Sequence, residues 1–234
     1  MGKYNFDKII DRRGTGSMMT DCLTKVFGRN DLSPLWIADM DFEVCPAISQ
    51  AIEKRAEHHI YGYSQAPDSY WESIIGWIKR RHNWDVTREE ITYVNGVVRG
   101  YAYALNFFTK PGDTIVIQQP VYHPFRNVAV GNHRRVVSND LIKNGDSYSM
   151  DLPGLEHIFA TENPKLMVVC NPHNPIGICW DKESLIEVAR LAKKYNVIIV
   201  SDEIHCDLGI FGHKHTPFAS VSEDAAAVSI SFGA

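Results

Sequence analysis

Missing from this 234-residue sequence is any run of about 18 apolar residues, so no transmembrane helix is expected. The polar, charged start (Lys3, Asp7, Lys8, Asp11, Arg12, Arg13) gives no expectation of a signal peptide either. An excess of positive charge is also missing. The 24 Lys and Arg against 28 Asp and Glu leave a net charge of -4, so nucleic acid and anionic membranes are not expected partners. Cysteine is scarce and unpatterned: Cys22, Cys45, Cys170, Cys179 and Cys206 show neither paired nor zinc-type spacing. Reduced thiols, a cytoplasmic location and no metal site are therefore expected. Internal repeats and low-complexity segments are absent as well. What is present, 44% hydrophobic and 22% charged residues, suits a globular protein whose core needs no staples.

Residues 1–45 are rich in turn formers (Gly14, Gly16, Asn30, Asp31, Pro34) and read as an N-terminal arm, part of a smaller lobe. Residues 46–234 read as one large domain. Pro46 opens a helix over 47–59, and Pro67 opens another through Arg81 with Trp71, Ile74, Ile75 and Ile78 on one face. Tyr61-Gly62-Tyr63 lies between them. The chain then alternates: strand 91–94, helix 97–108, strand 114–118, helix 124–130, strand 134–137, and a turn at Asn144-Gly145-Asp146. Helix 152–160, strand 166–169, helix 182–195, strand 197–201 and a run over 227–231 follow. Such βαβ alternation predicts an α/β fold with a mainly parallel sheet covered by helices on both faces.

Two apolar runs end in polar groups, the first in Asn171-Pro172-His173-Asn174-Pro175-Ile176-Gly177 and the second in Asp202-Glu203-Ile204-His205. Strand ends are where α/β folds bind ligands. An ionised Asp202 there needs a cation or several donors, because burying a lone carboxylate costs several kcal/mol. Asn95-Gly96-Val97-Val98 turns a strand straight into a helix whose free N–H groups suit phosphate. An ordinary strand-to-helix turn has the same look. Tyr122, held between Pro120 and Pro124, reads either as a platform for a flat ring or as a tyrosine packed beneath a proline-rich turn. His205 reads either as a site residue or as a structural histidine. A phosphate cradle, an aromatic platform, an amide and a carboxylate together describe a site for a flat, phosphorylated, cationic ring, and pyridoxal phosphate (PLP) fits that description.

These same residues carry a family resemblance. The order Gly96-Val97-Val98, Tyr122, Asn171 to Gly177 and Asp202-Glu203-Ile204-His205-Cys206-Asp207 resembles fold-type I PLP enzymes of the class I/II aminotransferase superfamily. Asp11-Arg12-Arg13-Gly14-Thr15, Trp36 to Phe42, Tyr61-Gly62-Tyr63 and Gly212 to Phe218 resemble marks of the MalY/PatB-type cystathionine β-lyases. The resemblance implies a three-layer α/β/α domain with a mainly parallel, mixed sheet, the major domain of PLP-dependent transferases. It implies that Asp202 pairs with the pyridinium nitrogen, Asn174 donates to the phenolic oxygen and Tyr122 stacks on the ring. Gly96, Val97 and Val98 form the phosphate turn, and His205 stands near the phenolic oxygen. Tyr61 is implied to reach the phosphate of a neighbouring subunit, so a homodimer with shared active sites is expected. The match departs at Met19-Thr20, Asn95, Arg99 and Ile178, none of them carried over as a ligand contact.

The Schiff-base lysine of the family is expected just after Ala234, which leaves no catalytic residue within the chain and reads it as the front part of a longer protein. Lys214 matches a non-catalytic family position. The activity implied is carbon–sulfur β-lysis of cystathionine- or cysteine-type amino acids, giving pyruvate, ammonia and a thiol. An aminotransferase sharing the same cofactor contacts is the alternative within enzymes, and a non-catalytic sensor or regulator on the same fold is the alternative outside them.

Overall fold

A computed structural model describes residues 4–234; Lys3 and the rest of 1–3 lie outside the described residues. Two compact units are present, Met1–Gln65 and Ala66–Ala234, so the division falls beyond the boundary at residue 45 read from turn content.

In the first unit the turn-rich arm contains two short helices, α1 (Met18–Asp21) and α2 (Leu23–Phe27), before α3 (Pro46–Ala56). Its motifs hold one another. The Asp21 carboxylate accepts the Gly14 and Gly16 N–H groups at 2.9 and 2.8 Å, and Arg12 Nη2 donates to Asp39 Oδ2 at 2.6 Å. Trp36 Nε1 donates to the Met19 carbonyl at 3.1 Å and meets Phe27 edge to face. Proline at the start of α3 fixes a helical φ without losing a needed N–H, but the helix stops at Ala56, short of the predicted residue 59.

The second unit opens with α4 (Asp68–His82), whose Trp71, Ile74, Ile75 and Ile78 are half-buried as their spacing predicts. The strand predicted over 91–94 does not form. A 3₁₀ turn, Arg88–Glu90, closes with reciprocal Thr87 and Glu90 capping, and the following β-branched residues run on without a paired neighbour. β-propensity needs a partner strand to be realised. Then follow α5 (Val97–Phe108), β1 (Thr114–Ile117), α6 (Pro124–Gly131), β2 (Arg135–Ser138) and the hairpin β3 (Ile142–Asn144) and β4 (Ser147–Ser149). The order continues with α7 (Leu152–Glu162), β5 (Leu166–Cys170), α8 (Lys182–Tyr195), β6 (Ile198–Asp202), α9 (Glu223–Val228) and β7 (Ser229–Phe232).

The main sheet has the order β2-β1-β5-β6-β7, and every pairing in it is parallel; antiparallel pairing among the described residues occurs between β3 and β4 and in an isolated bridge between His173 and Ile178. Side chains alternate along each strand and divide the core in two. Ile115, Ile117, Leu166, Val168, Cys170 and Val200 pack against Tyr101 and Leu105 of α5 and Phe125 of α6. Val116, Met167, Val169 and Ile199 pack against Leu155 of α7, Leu185 and Val188 of α8, and Ala225 of α9. Each such aliphatic side chain contributes roughly 1.5–3 kcal/mol on full burial. The result is the expected three-layer α/β/α arrangement. Its strand order reverses between β1 and β5, which makes the carboxyl ends of those two strands the crevice where such sheets take ligands.

Candidate cofactor site

The loops on either side of that crevice are tied together. The Tyr122 N–H donates to the Asn174 carbonyl at 3.0 Å, joining the turn after β1 to the turn after β5. Asn171 anchors the second turn from beneath. It is fully buried, donates through Nδ2 to the Thr216 carbonyl at 3.0 Å and accepts the Trp180 N–H at 3.2 Å. The backbone N–H of Asn174 is turned onto Cys170 Sγ at 3.3 Å, and its side-chain amide makes no hydrogen bond among the described residues. Tyr122 is half-buried, with its ring edge to face on Phe125 at 5.7 Å.

Asp202 ends β6, in register with Cys170 on one side and Phe232 on the other. Only 4% of its surface is exposed. One donor reaches it, the Ile204 N–H at 3.1 Å, and no cation lies in ion-pair contact with it among the described residues. Burial pushes its pKa up; the Ile204 N–H and the nearby His205 oppose that rise, and Glu203 adds to it. A carboxylate in this state is stabilised by a protonated nitrogen brought to it.

Gly96 starts α5 at φ 94°, a backbone region that favours glycine, and no side chain caps the N–H groups of Val97 and Val98. α5 comes close to the sheet because Gly100 has no Cβ: one there would stand 2.4 Å from Phe232 Cε1. The open helix start therefore belongs to the same strand end as Asp202. His205 is half-buried, just before the 3₁₀ turn Cys206–Leu208. Tyr61 belongs to the first unit, where its hydroxyl donates to the Ala56 carbonyl at 3.0 Å and Arg55 lies over its ring. Among residues of the second unit, a buried anion lacking a cation, an uncapped helix start, a free amide and an aromatic face fit the ring, phosphate and phenolic oxygen of PLP.

Reading the sequence missed the network behind this site. Glu203, as buried as Asp202, accepts Ser201 Oγ at 2.8 Å, the Phe218 N–H at 2.9 Å and Ser231 Oγ at 3.0 Å, while His215 Nε2 lies 2.9 Å from its second oxygen. The available signal was the doublet Asp202-Glu203 itself, since two carboxylates at one buried strand end need two sets of partners. His173 was also passed over. It is buried edge-on against Trp180, and desolvation lowers its pKa to about 4.

No local spacing suggested a metal site, yet the fold places donor atoms of His82, Cys206 and Asp207 within 4.8 Å of one another. Asp207 is already engaged: Trp77 Nε1 donates to it at 2.6 Å, His82 Nε2 lies 3.0 Å away and Arg81 Nε 3.7 Å. This cluster reads as a polar junction between the end of α4 and the turn after β6. No disulfide joins any of the five cysteines, and no helix among the described residues is long and apolar enough to cross a membrane.

Comparison with known proteins gives the same picture. The chain is 41% identical over 230 residues to cystathionine beta-lyase PatB of Bacillus subtilis, covering 98% of this chain and 59% of that protein. Among solved structures, a PLP-bound putative aminotransferase from Clostridium difficile superposes with a TM-score of 0.95 at 41% identity, over 99% of this chain and 59% of that one. A PLP-bound C-S lyase from Staphylococcus hominis superposes with a TM-score of 0.91 at 32% identity, with the same coverage of both chains. The chain thus spans 59% of the length of each of these relatives. The family model "Aminotransferase class I and II" matches residues 31–233, most of the chain, so the chain belongs to that family.

Proposed function

We propose that the protein to which this chain belongs binds PLP and is a carbon–sulfur β-lyase, acting on cystathionine- or cysteine-type amino acids to give pyruvate, ammonia and a thiol. The observation that carries the cofactor reading is Asp202, buried beside the β1/β5 crevice with no cation in ion-pair contact among the described residues. The lyase reading rests on the likeness to PatB and to the C-S lyase from Staphylococcus hominis.

When bound, PLP supplies an electron-withdrawing ring that stabilises negative charge at the α-carbon of an amino acid. In this reading Asp202 holds the proton on the ring nitrogen, a charge-assisted contact worth roughly 1.5–3 kcal/mol. Asn174 donates its free amide to the phenolic oxygen, and Tyr122 covers one ring face. The first-turn N–H groups of Val97 and Val98, freed by Gly96, hold the phosphate with the favourable end of the helix dipole. His205 stands near the phenolic oxygen. Tyr61 is assigned to the phosphate of a neighbouring subunit, so a homodimer with shared sites is part of the proposal, as is the lysine expected after Ala234. A cytosolic location accords with the absence of disulfides.

A second reading, aminotransferase, is favoured by the likeness to the putative aminotransferase from Clostridium difficile and uses the same contacts. One assay separates the two. With PLP and L-cystathionine, a lyase releases free thiol and pyruvate in equal amounts. Amino transfer to a 2-oxoacid without thiol would overturn the lyase reading.

A further inference from the structure

A planar ring held at both its nitrogen and its phenolic oxygen needs two protein groups at a fixed spacing. In the reading above those groups are Asp202 and Asn174, which stand on different elements. Cys170 adjoins both. As the last residue of β5 it pairs in register with Asp202 of β6, and residues paired in parallel strands send their side chains to the same face of the sheet. The next peptide repeats the link, since the Asn171 N–H donates to the Asp202 carbonyl at 2.9 Å. In the other direction the Cys170 side chain turns into the loop that follows β5. Sγ accepts the Asn174 N–H at 3.3 Å and donates to the Pro172 carbonyl at 3.5 Å.

The thiol is in the right state for both bonds. Cys170 is 3% exposed, and burial pushes its pKa up to about 12, so at neutral pH it keeps a proton to donate and a lone pair to accept with. The turn is otherwise closed on itself: the His173 N–H donates to the Ile178 carbonyl at 2.7 Å, and the Gly177 N–H to the His173 carbonyl at 2.8 Å. Asn174 has its carbonyl taken by the Tyr122 N–H and its own N–H taken by Cys170. Both backbone groups are thus held, and among the described residues its side-chain amide alone is left over.

We infer that Cys170 is a positioning residue: its sulfur holds the Asn174 amide at a set distance from Asp202, so that one ring meets both. The inference rests on the PLP reading above. Cys170 itself touches neither the ring nitrogen nor the phenolic oxygen in that assignment, and it acts through Asn174.

The test uses the full chain and two ligands that have no aldehyde to condense with lysines. Deoxypyridoxine phosphate keeps the ring, the phosphate and the phenolic oxygen of PLP; its analogue lacks only the phenolic oxygen. The ratio of their dissociation constants, read by fluorescence titration, reports the contact to that oxygen. Cys170→Ala should reduce the ratio by about fivefold, the worth of one hydrogen bond, and leave the affinity for the analogue unchanged. Asn174→Ala should reduce it at least as much, and adding Cys170→Ala to that variant should change nothing further. Cys170→Ser keeps a donor and an acceptor at the position and should restore most of the preference. Equal weakening of both ligands in Cys170→Ala would make Cys170 a packing residue only and overturn the inference, as would an unchanged ratio. If Cys170→Ala does not fold, Cys170→Val fills the space without a hydrogen-bonding group, and the same ratio decides. If the folded parent binds neither ligand, or binds the two equally, the PLP reading of this turn fails and the inference with it. If the parent prefers the ligand with the oxygen and only Asn174→Ala removes that preference, the inference alone fails.

Discussion

Replacing Gly100 with alanine tests the close approach that places the start of α5 beside Asp202. In an unobstructed helix this change stabilises by about 1 kcal/mol, because glycine loses more backbone freedom on folding than alanine does. Here the new methyl would stand 2.4, 2.8 and 3.1 Å from three carbons of the Phe232 ring. Ordinary carbon contacts begin near ~3.4 Å, so ring or helix must move by about 1 Å (3.4 − 2.4). Overpacking of this kind costs about 1–3 kcal/mol, so the helix gain is offset and the expected outcome is a net loss of about 1 kcal/mol. Urea unfolding of Gly100→Ala should show it as a lower midpoint at unchanged slope. Adding Phe232→Ala to both backgrounds removes the obstacle, and there Gly100→Ala should become stabilising. The sign change is the signature of direct contact. A Gly100→Ala protein that gains about 1 kcal/mol with Phe232 intact would refute the packing of α5 on β7.

Two further outcomes follow from the same elements. The folded-state pKa of Asp202 is raised, so this group favours folding at low pH and loses that advantage as pH rises through its folded value. Without cofactor, the melting temperature of Asp202→Asn relative to the parent should therefore climb from pH 4 to pH 7, while its PLP affinity falls by about ten- to a hundredfold; a stability difference flat with pH would contradict the burial of a lone carboxylate. Asn171→Ala leaves the Thr216 carbonyl and the Trp180 N–H without their buried partner and should cost about 3 kcal/mol in chemical unfolding. A cost under about 1 kcal/mol would mean that the turn carrying Asn174 is held by other contacts.

Most of the large unit was legible because its signals are local. α5 and α8 form over the ranges read from hydrophobic spacing, and the buried strands lie within a residue or two of their β-branched runs. α8 has its start written into it, since Asp181 accepts the Ser184 N–H at 2.7 Å, and Asn196 closes it in the left-handed region. Residues 91–94 misled for the same reason. Their composition states a preference, but a strand exists only where a neighbour lies alongside, and that neighbour is a matter of topology. The run over 227–231 misled differently: a polar Ser229 splits it into the end of α9 and the start of β7, with its hydroxyl turned back onto the Ala225 carbonyl at 2.6 Å.

The site divides along the same line. Asp202 could be singled out because its cost is intrinsic: an acid placed after Ile198-Ile199-Val200 must be buried, and a buried acid needs something. Glu203 has the same cost, yet its answer is scattered, with one hydroxyl two residues before it, an N–H fifteen residues on, a histidine between and a second hydroxyl in β7. No spacing rule unites these four: the pairing of β6 with β7 brings the Ser231 hydroxyl, and the segment between those strands brings His215 and the Phe218 N–H. The two neighbours thus solve one problem in two ways. Glu203 is satisfied by the fold itself, while among the described residues Asp202 meets a single N–H and no cation. That contrast, a full set of donors on one buried acid and a single N–H on its neighbour, is what the proposed pairing of Asp202 with a ring nitrogen rests on.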